Sequence, residues 1–243
     1  TPYDFEAIDM FGSILNAFKI GSGDITFHDA LKKIASKQKV VLLATGASSL
    51  VEVEEAVDLI LSENRNLCLM QCNTNYTGSL ENFSYVNLTV LNTFSRKWPG
   101  MVLGFSDHTP GHSAVVGAVT LGARVIEKHF TDDNAREGPD HSFALNPRTW
   151  KEMVTATREL EASLGDGTKR IEANEEDTVI IQRRAIRLTR DISEGELLKN
   201  SDLESLRPCP VGAIPPGHLD KVIGHKLVVN KKAGEELYWK EIE

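Results

Sequence analysis

The stretch RVIEKHF, residues 124–130, decides the fold. Val125 and Ile126 read as the buried interior of a β-strand. Glu127, Lys128 and His129 then follow with no turn residue between. Four short apolar runs precede it: AFKI (17–20), VVLLAT (40–45), LCLMQC (67–72) and MVLGFSD (101–107). Each of these also ends in polar residues, namely Lys19 with Ser22, Thr45 with Gly46, Gln71 to Asn75, and Ser106, Asp107 and His108. Between the runs lie segments of helical pattern, at about 28–37, 49–62, 84–97, 112–122 and 147–163. In the second of these, Leu50, Val53, Val57, Ile60 and Leu61 fall near one helical face. Asn146 before Pro147 reads as an N-cap followed by proline at the first helical position. Continuous apolar strands alternating with helices specify a parallel sheet covered on both faces. In such sheets ligands bind beyond the carboxyl ends of the strands. The three ionisable residues of 127–129 therefore stand where a strand enters a site.

The pattern changes near residue 170. The polar, acidic IEANEEDTV reads as a linker, and shorter alternating segments follow it. Glu194–Gly195 and Ala233–Gly234 mark turns between short strands, and Ser201 to Glu204 has capping-box spacing, which predicts a short helix. The proline clusters RPCP and IPP predict rigid loops. The expected organisation is a β/α domain over 1–170, a linker over 171–180 and a small, mainly β domain over 181–243.

Composition narrows the function classes. The chain has 243 residues, 41% of them hydrophobic and 26% charged, in the range of a soluble globular protein. Its net charge of -8 argues against a nucleic-acid role and offers nothing to an anionic membrane. No apolar run approaches the roughly 20 residues of a membrane span. The stretch TPYDFEAIDMF lacks the basic-then-apolar pattern of a signal peptide. Cys68, Cys72 and Cys209 are few and odd in number, which predicts free thiols in a reducing compartment, hence the cytoplasm. Cys68 and Cys72 are four apart on one strand, about 13 Å at roughly 3.3 Å per residue, too far to bridge.

Side chains alternate along a strand, so Ser106 and His108 share one face, and so do Glu127 and His129. If the two strands are neighbours, both histidines converge on one mouth. Two imidazoles with Glu127 nearby suit a divalent metal that keeps positions open for substrate. The competing reading is that each histidine hydrogen-bonds a loop carbonyl. Lys19 and Ser22, in KIGSG, suit a phosphate, although a lysine at a strand end also serves as a solvated edge or a salt-bridge partner. ATG at 44–46 offers a hydroxyl and a close-approach glycine, or only a turn. GPDHS at 138–142 reads as a tight loop presenting Asp140 and His141, for sugar hydroxyls or for capping the turn. His28 and His112 head helices and receive no functional role.

Several motifs together resemble the sialic acid synthases, and within them the bacterial legionaminate and N-acetylneuraminate synthase type. They are TPYDFEA, AFKIGSGD, LLATGASSLVEVEEA, GFSDHTPG, LGARVIEKHFT and EGPDHSFALNP, with LRPCPVGAI and IGHKL resembling the antifreeze-like (SAF) domain of that family. The resemblance implies a (β/α)8 TIM barrel followed by an SAF domain, in a domain-swapped homodimer. It implies condensation of phosphoenolpyruvate with an N-acylated mannosamine-type sugar to a nine-carbon 2-keto acid and phosphate. By motif, His108 and His129 would ligate Mn²⁺ or Mg²⁺. Lys19, Ser22 and Ser106 would hold phosphoenolpyruvate, with Thr45 as a further phosphate contact. Glu127, Tyr76 and Asp140 would line the sugar site, and Arg207 would reach the N-acyl group from the partner's SAF domain.

Only five strands can be counted, where the resemblance implies eight. Three strands, roughly 100 residues of a typical barrel, are expected to be absent, together with that family's N-terminal catalytic glutamate and a substrate-binding lysine. Two strand edges would then lie open, the chain being a fragment, a part completed by another copy or chain, or an open sheet, and this chain alone is expected to be weakly active or inactive. Two rival readings remain at this level. A metal-dependent aldolase or hydrolase on the same scaffold would not require phosphoenolpyruvate. An N-acyl sugar binding module beside a degenerate barrel would bind sugar through Arg207 without metal.

Overall fold

The computed structural model describes all 243 residues, which form two compact units, Thr1–Gly167 and Thr168–Glu243. The first is a β/α succession: α1 (Phe5–Phe11), β1 (Ala17–Ile20), α2 (His28–Ser36), β2 (Val40–Ala44), α3 (Leu50–Leu61), β3 (Leu67–Cys72), α4 (Val90–Lys97), β4 (Val102–Asp107), α5 (Ser113–Thr120), β5 (Ala123–Lys128) and α6 (Pro147–Ser163). The five strands form one parallel sheet in sequence order, with β1 and β5 at its edges. All six residues of β3 are buried, as a central strand covered on both faces requires. Phe18, Leu31, Leu43, Ile60, Leu69, Leu91 and Phe105 form the core of this unit.

Local chemistry fixes the helix starts. Ser49 and Glu52 make a reciprocal capping box on α3, and Asn146 caps α6 with Pro147 at the first position. The helix expected over 84–97 begins only at Val90, and a 3-10 segment occupies Leu80–Tyr85. Between β4 and β5 the register slips: Leu103 pairs with Ala123 but Gly104 with Val125, so Arg124 is the extra residue of a bulge. Gly104 suits this place, because a Cβ there would stand 2.7 Å from Met70 Cγ and 2.9 Å from the Val125 carbonyl. Beyond the bulge the register pairs Ser106 with Glu127 and Asp107 with Lys128.

The sheet is strongly curved. Four strand spacings would separate β1 and β5 by about 19 Å in a flat sheet. Yet Lys19 Nζ of β1 lies 3.0 Å from Glu127 Oε2 of β5. The five strands thus describe an arc with its ends turned toward one another, which is barrel-type curvature.

In the second unit, the stretch read as a linker is ordered as a 3-10 turn at Ala173–Glu175 and α7 (Glu176–Gln182), with acidic residues in the helix's first turn. β6 (Ala185–Leu188) and β7 (Leu203–Leu206) pair antiparallel, isolated bridges extend the β structure, and α8 (Leu219–Val222) follows. No helix starts at Ser201. A 3-10 turn spans Asn200–Asp202, capped by Lys199 and Asp202, and β7 begins at once. Gly195 and Gly234 both adopt φ of +84°, as their turns demand. Ile186, Leu188, Ile192, Leu198, Ile214, Val222, Leu227 and Leu237 form this unit's own core. No helix of either unit is long and apolar enough to cross a membrane.

Candidate active site

At the carboxyl ends of the strands a pocket of about 410 Å³ is lined by Lys19, Ser22, Tyr76, Ser106, Glu127, His108, His129 and Asp140. Eight of the ten site residues expected from the sequence therefore meet in one cavity. The Ser106 hydroxyl donates to Glu127 Oε2 at 2.7 Å, and Lys19 Nζ approaches the same oxygen at 3.0 Å. Glu127 so bridges a hydroxyl from the adjacent strand and an ammonium from the far edge of the arc. Ser22 Oγ accepts the Gly46 amide at 2.9 Å, which ties the loop after β1 to the turn after β2.

The two histidine rings lie 5.1 Å apart, centroid to centroid, and Tyr76 packs against both, tilted at 4.2 Å from His108 and edge-on at 5.5 Å from His129. His108 Nδ1 lies 2.8 Å from the Asn73 carbonyl oxygen. A carbonyl only accepts, so Nδ1 carries the proton and Nε2 is left with a free lone pair. His129 Nδ1 lies 3.4 Å from Asp140 Oδ2, which orients its ring the same way. Burial first, with His129 adding to it, pulls the His108 pKa down, so its neutral form is favoured. The loop-carbonyl reading and the metal reading are thus compatible. A ring tethered through Nδ1 with Nε2 free is the form in which a histidine ligates a cation. No third histidine, cysteine or carboxylate completes a preformed cage around the pair. The donor set fits a divalent cation that takes two imidazoles from the protein and its remaining ligands from substrate and water.

Thr45 does not join this pocket. Its hydroxyl donates to the Met70 carbonyl at 2.9 Å, and its side chain lines a separate cavity between α3 and α4. Alternation explains the displacement: Ala44 faces the pocket, so Thr45 faces away. Arg207 belongs to the second unit, where its Nε donates to the Gln182 carbonyl at 2.6 Å. Two features were not anticipated. Cys72 lines the pocket, with its Sγ 3.9 Å from His108 Nδ1. Behind it, Lys128 Nζ and Asp107 Oδ2 form a fully buried ion pair at 2.6 Å. The parity argument that placed Ser106 and Glu127 together also places Asp107 and Lys128 together on the opposite face, and that was the available signal.

A curved parallel β/α sheet with cations, imidazoles and a carboxylate gathered at its carboxyl end defines an enzyme domain of the barrel type. Residues 1–169 match the NeuB family and residues 183–243 the SAF domain. The chain belongs to the NeuB family. It is 37% identical to the N,N'-diacetyllegionaminic acid synthase of Campylobacter jejuni, over 97% of this chain and 70% of that protein. It is 36% identical to the enzyme of the same name from Legionella pneumophila, over 100% of this chain and 68% of that one. Among solved structures, the spore coat polysaccharide biosynthesis protein SpsE of Bacillus subtilis matches at a TM-score of 0.62 and 31% identity, covering 99% of this chain and 71% of that chain.

Proposed function

We propose that this chain carries the strand-end chemistry of a nonulosonic acid synthase, which joins phosphoenolpyruvate to an N-acylated mannosamine-type sugar and releases phosphate. The observation that carries this reading is the convergence of Lys19, Ser22, Ser106, Glu127, His108 and His129 on one pocket of about 410 Å³. Synthase relatives at 36–37% identity over 97–100% of the chain support it.

In this reading the ammonium of Lys19 and the hydroxyls of Ser22 and Ser106 bind the anionic groups of phosphoenolpyruvate, a local cation supply that a chain of net charge -8 must arrange at the site itself. C3 of phosphoenolpyruvate forms the new bond to the sugar's aldehyde carbon. Water adds at C2, and cleavage of the C–O bond releases phosphate and leaves the 2-keto acid. His108 and His129 would hold Mn²⁺ or Mg²⁺, which would supply Lewis-acid polarisation for the sugar's carbonyl. Glu127 and Asp140 accept hydrogen bonds from sugar hydroxyls, and Tyr76 bounds the sugar beside the two rings. Arg207 is assigned to the N-acyl carbonyl within a domain-swapped homodimer, where its planar, multi-donor head suits such an acceptor.

Isothermal titration of Mn²⁺ and of phosphoenolpyruvate into the chain, with His108→Ala and His129→Ala alongside, tests this. The expected result is Mn²⁺ binding abolished in both variants and phosphoenolpyruvate binding present in the parent. A parent that binds neither, or variants that bind Mn²⁺ as the parent does, would overturn it. Condensation or cleavage of the sugar without phosphoenolpyruvate would instead favour an aldolase.

A further inference from the structure

Asp107 and Lys128 interrupt the two motifs that supply the imidazoles. Each precedes a histidine, and strand alternation sets Asp107 on the face of Phe105 and Lys128 on that of Ile126, although both residues still contribute to the pocket's wall. Their side chains are 0% and 2% exposed. A buried ion pair is a poor source of stability, because the desolvation of both charges offsets their attraction. Burial accordingly pulls the Lys128 pKa down against the pull of Asp107. A pair kept at such a site calls for another reason.

The bonding pattern supplies one. Lys128 Nζ donates to Asp107 Oδ2 at 2.6 Å and also to the carbonyl of Thr109. Asp107 Oδ1 accepts from both the amide and the hydroxyl of Thr109, each at 2.8 Å. His108 is therefore bracketed by two residues that both bond Lys128, and Lys128 is the residue before His129. The backbone carrying one imidazole is strapped, on both sides, to the backbone carrying the other. We infer that the Asp107–Lys128–Thr109 network is a positioning device that sets the separation and orientation of the His108 and His129 rings. The inference rests on the proposed metal-binding role of those histidines for its consequence, while its geometric content stands apart from the metal.

The test compares the parent with Asp107→Asn/Lys128→Met, which removes both charges and the cross-strand tie but leaves an acceptor for the Thr109 amide. Two quantities are read: Mn²⁺ affinity by titration, and the imidazole nitrogen chemical shifts of His108 and His129, with His28 and His112 as internal references. The expected result is a tenfold or greater loss of Mn²⁺ affinity, the scale seen when supports of metal ligands are removed. The two site histidines should shift while the references stay fixed. Affinity within twofold of the parent, or unmoved His108 and His129 signals in a folded variant, would overturn the inference. Should the double variant fail to fold, Thr109→Val removes only the hydroxyl bond to Asp107 and must still move the His108 signals. A parent that binds no Mn²⁺ would sink the metal reading, and the imidazole shifts alone would then decide the positioning role.

Discussion

Gly46 and Gly21 both belong to turns beside the pocket, yet they should respond oppositely to a single methyl group. A Cβ on Gly46 would stand 2.5 Å from Thr74 Cγ2, 3.0 Å from Ser22 Oγ and 3.1 Å from Cys72 Sγ. Thr74 can rotate, but Ser22 and Cys72 are buried, at 8% and 6% exposure, and cannot withdraw without disturbing the pocket. Overpacking of this kind costs about 1–3 kcal/mol. Displacing Ser22 also breaks its 2.9 Å bond from the Gly46 amide, which adds about 1 kcal/mol. At roughly 2–4 °C per kcal/mol, Gly46→Ala should lower the melting temperature of the first unit by about 4–16 °C. A Cβ on Gly21 meets nothing within 4 Å, and its φ of -67° suits any residue. Gly21→Ala should therefore be neutral or stabilising by up to about 1 kcal/mol, through the unfolded chain. Thermal unfolding by circular dichroism, with phosphoenolpyruvate titrated into each variant, reads both effects. Equal melting temperatures for the two variants, or undiminished phosphoenolpyruvate affinity in Gly46→Ala, would refute the close-approach reasoning.

Two further outcomes follow from the same pocket and its strands. Lys19→Met should weaken phosphoenolpyruvate binding tenfold or more, since a hydrogen bond to a charged group is worth about 1.5–3 kcal/mol; titration showing a change under twofold would remove Lys19 from the anion site. Burial pushes the Cys68 thiol up to about 11, so it should resist iodoacetamide in the native chain near pH 8 and react on unfolding. The folded state holds this proton more tightly than the unfolded one. Its contribution is thus whole below pH 9 or so and fades as pH rises through 11. Urea unfolding near pH 10.5 should show about 2 kcal/mol lost relative to neutral pH, less of it in Cys68→Ala.

The strands were legible because each is a short apolar run stopped by polar residues, and the site was legible because those stops are its lining. Parity did most of the remaining work: it put Ser106 with His108 and Glu127 with His129, and the observed register pairs Ser106 with Glu127. The same rule, carried to β2, would have turned Thr45 away and left Ala44 at the pocket. What escaped the sequence lacked a periodic signal. α1 is seven residues long, less than two full turns, so its one buried residue, Ile8, stands in no pattern long enough to mark a helix. Only Asp4, whose side chain accepts the Ala7 amide at 2.7 Å, announced its start. α7 hid inside an acidic stretch, where charge masked its few apolar residues. The capping box expected between Ser201 and Glu204 does not form: the reciprocal bonding falls two residues earlier, between Lys199 and Asp202, and Leu203–Leu206 is claimed by pairing with β6.

Curvature explains why residues 108 positions apart in the chain can share one oxygen atom. Register places Lys19 beside Leu42, and two residues further along β2 Ala44 stands beside Met70, which faces Gly104 and then Val125. The next row on the same face runs through Cys72, Ser106 and Glu127. The strand ends thus step along the arc, so that Glu127 of one edge rises toward the level that the long side chain of Lys19 reaches from the other. Ala44 and Gly104 keep the lower of these two rows thin on two of its four strands, which leaves space under the polar rim. Glu127 closes the arc by accepting from Lys19 and Ser106, and the buried Asp107–Lys128 pair locks the same two strands from behind. One register, set by the bulge at Gly104, decides both. A slip by one residue would carry Glu127 to the face behind the sheet and put Lys128 on the face that Ser106 occupies, exchanging an acceptor for a cation at the centre of the site.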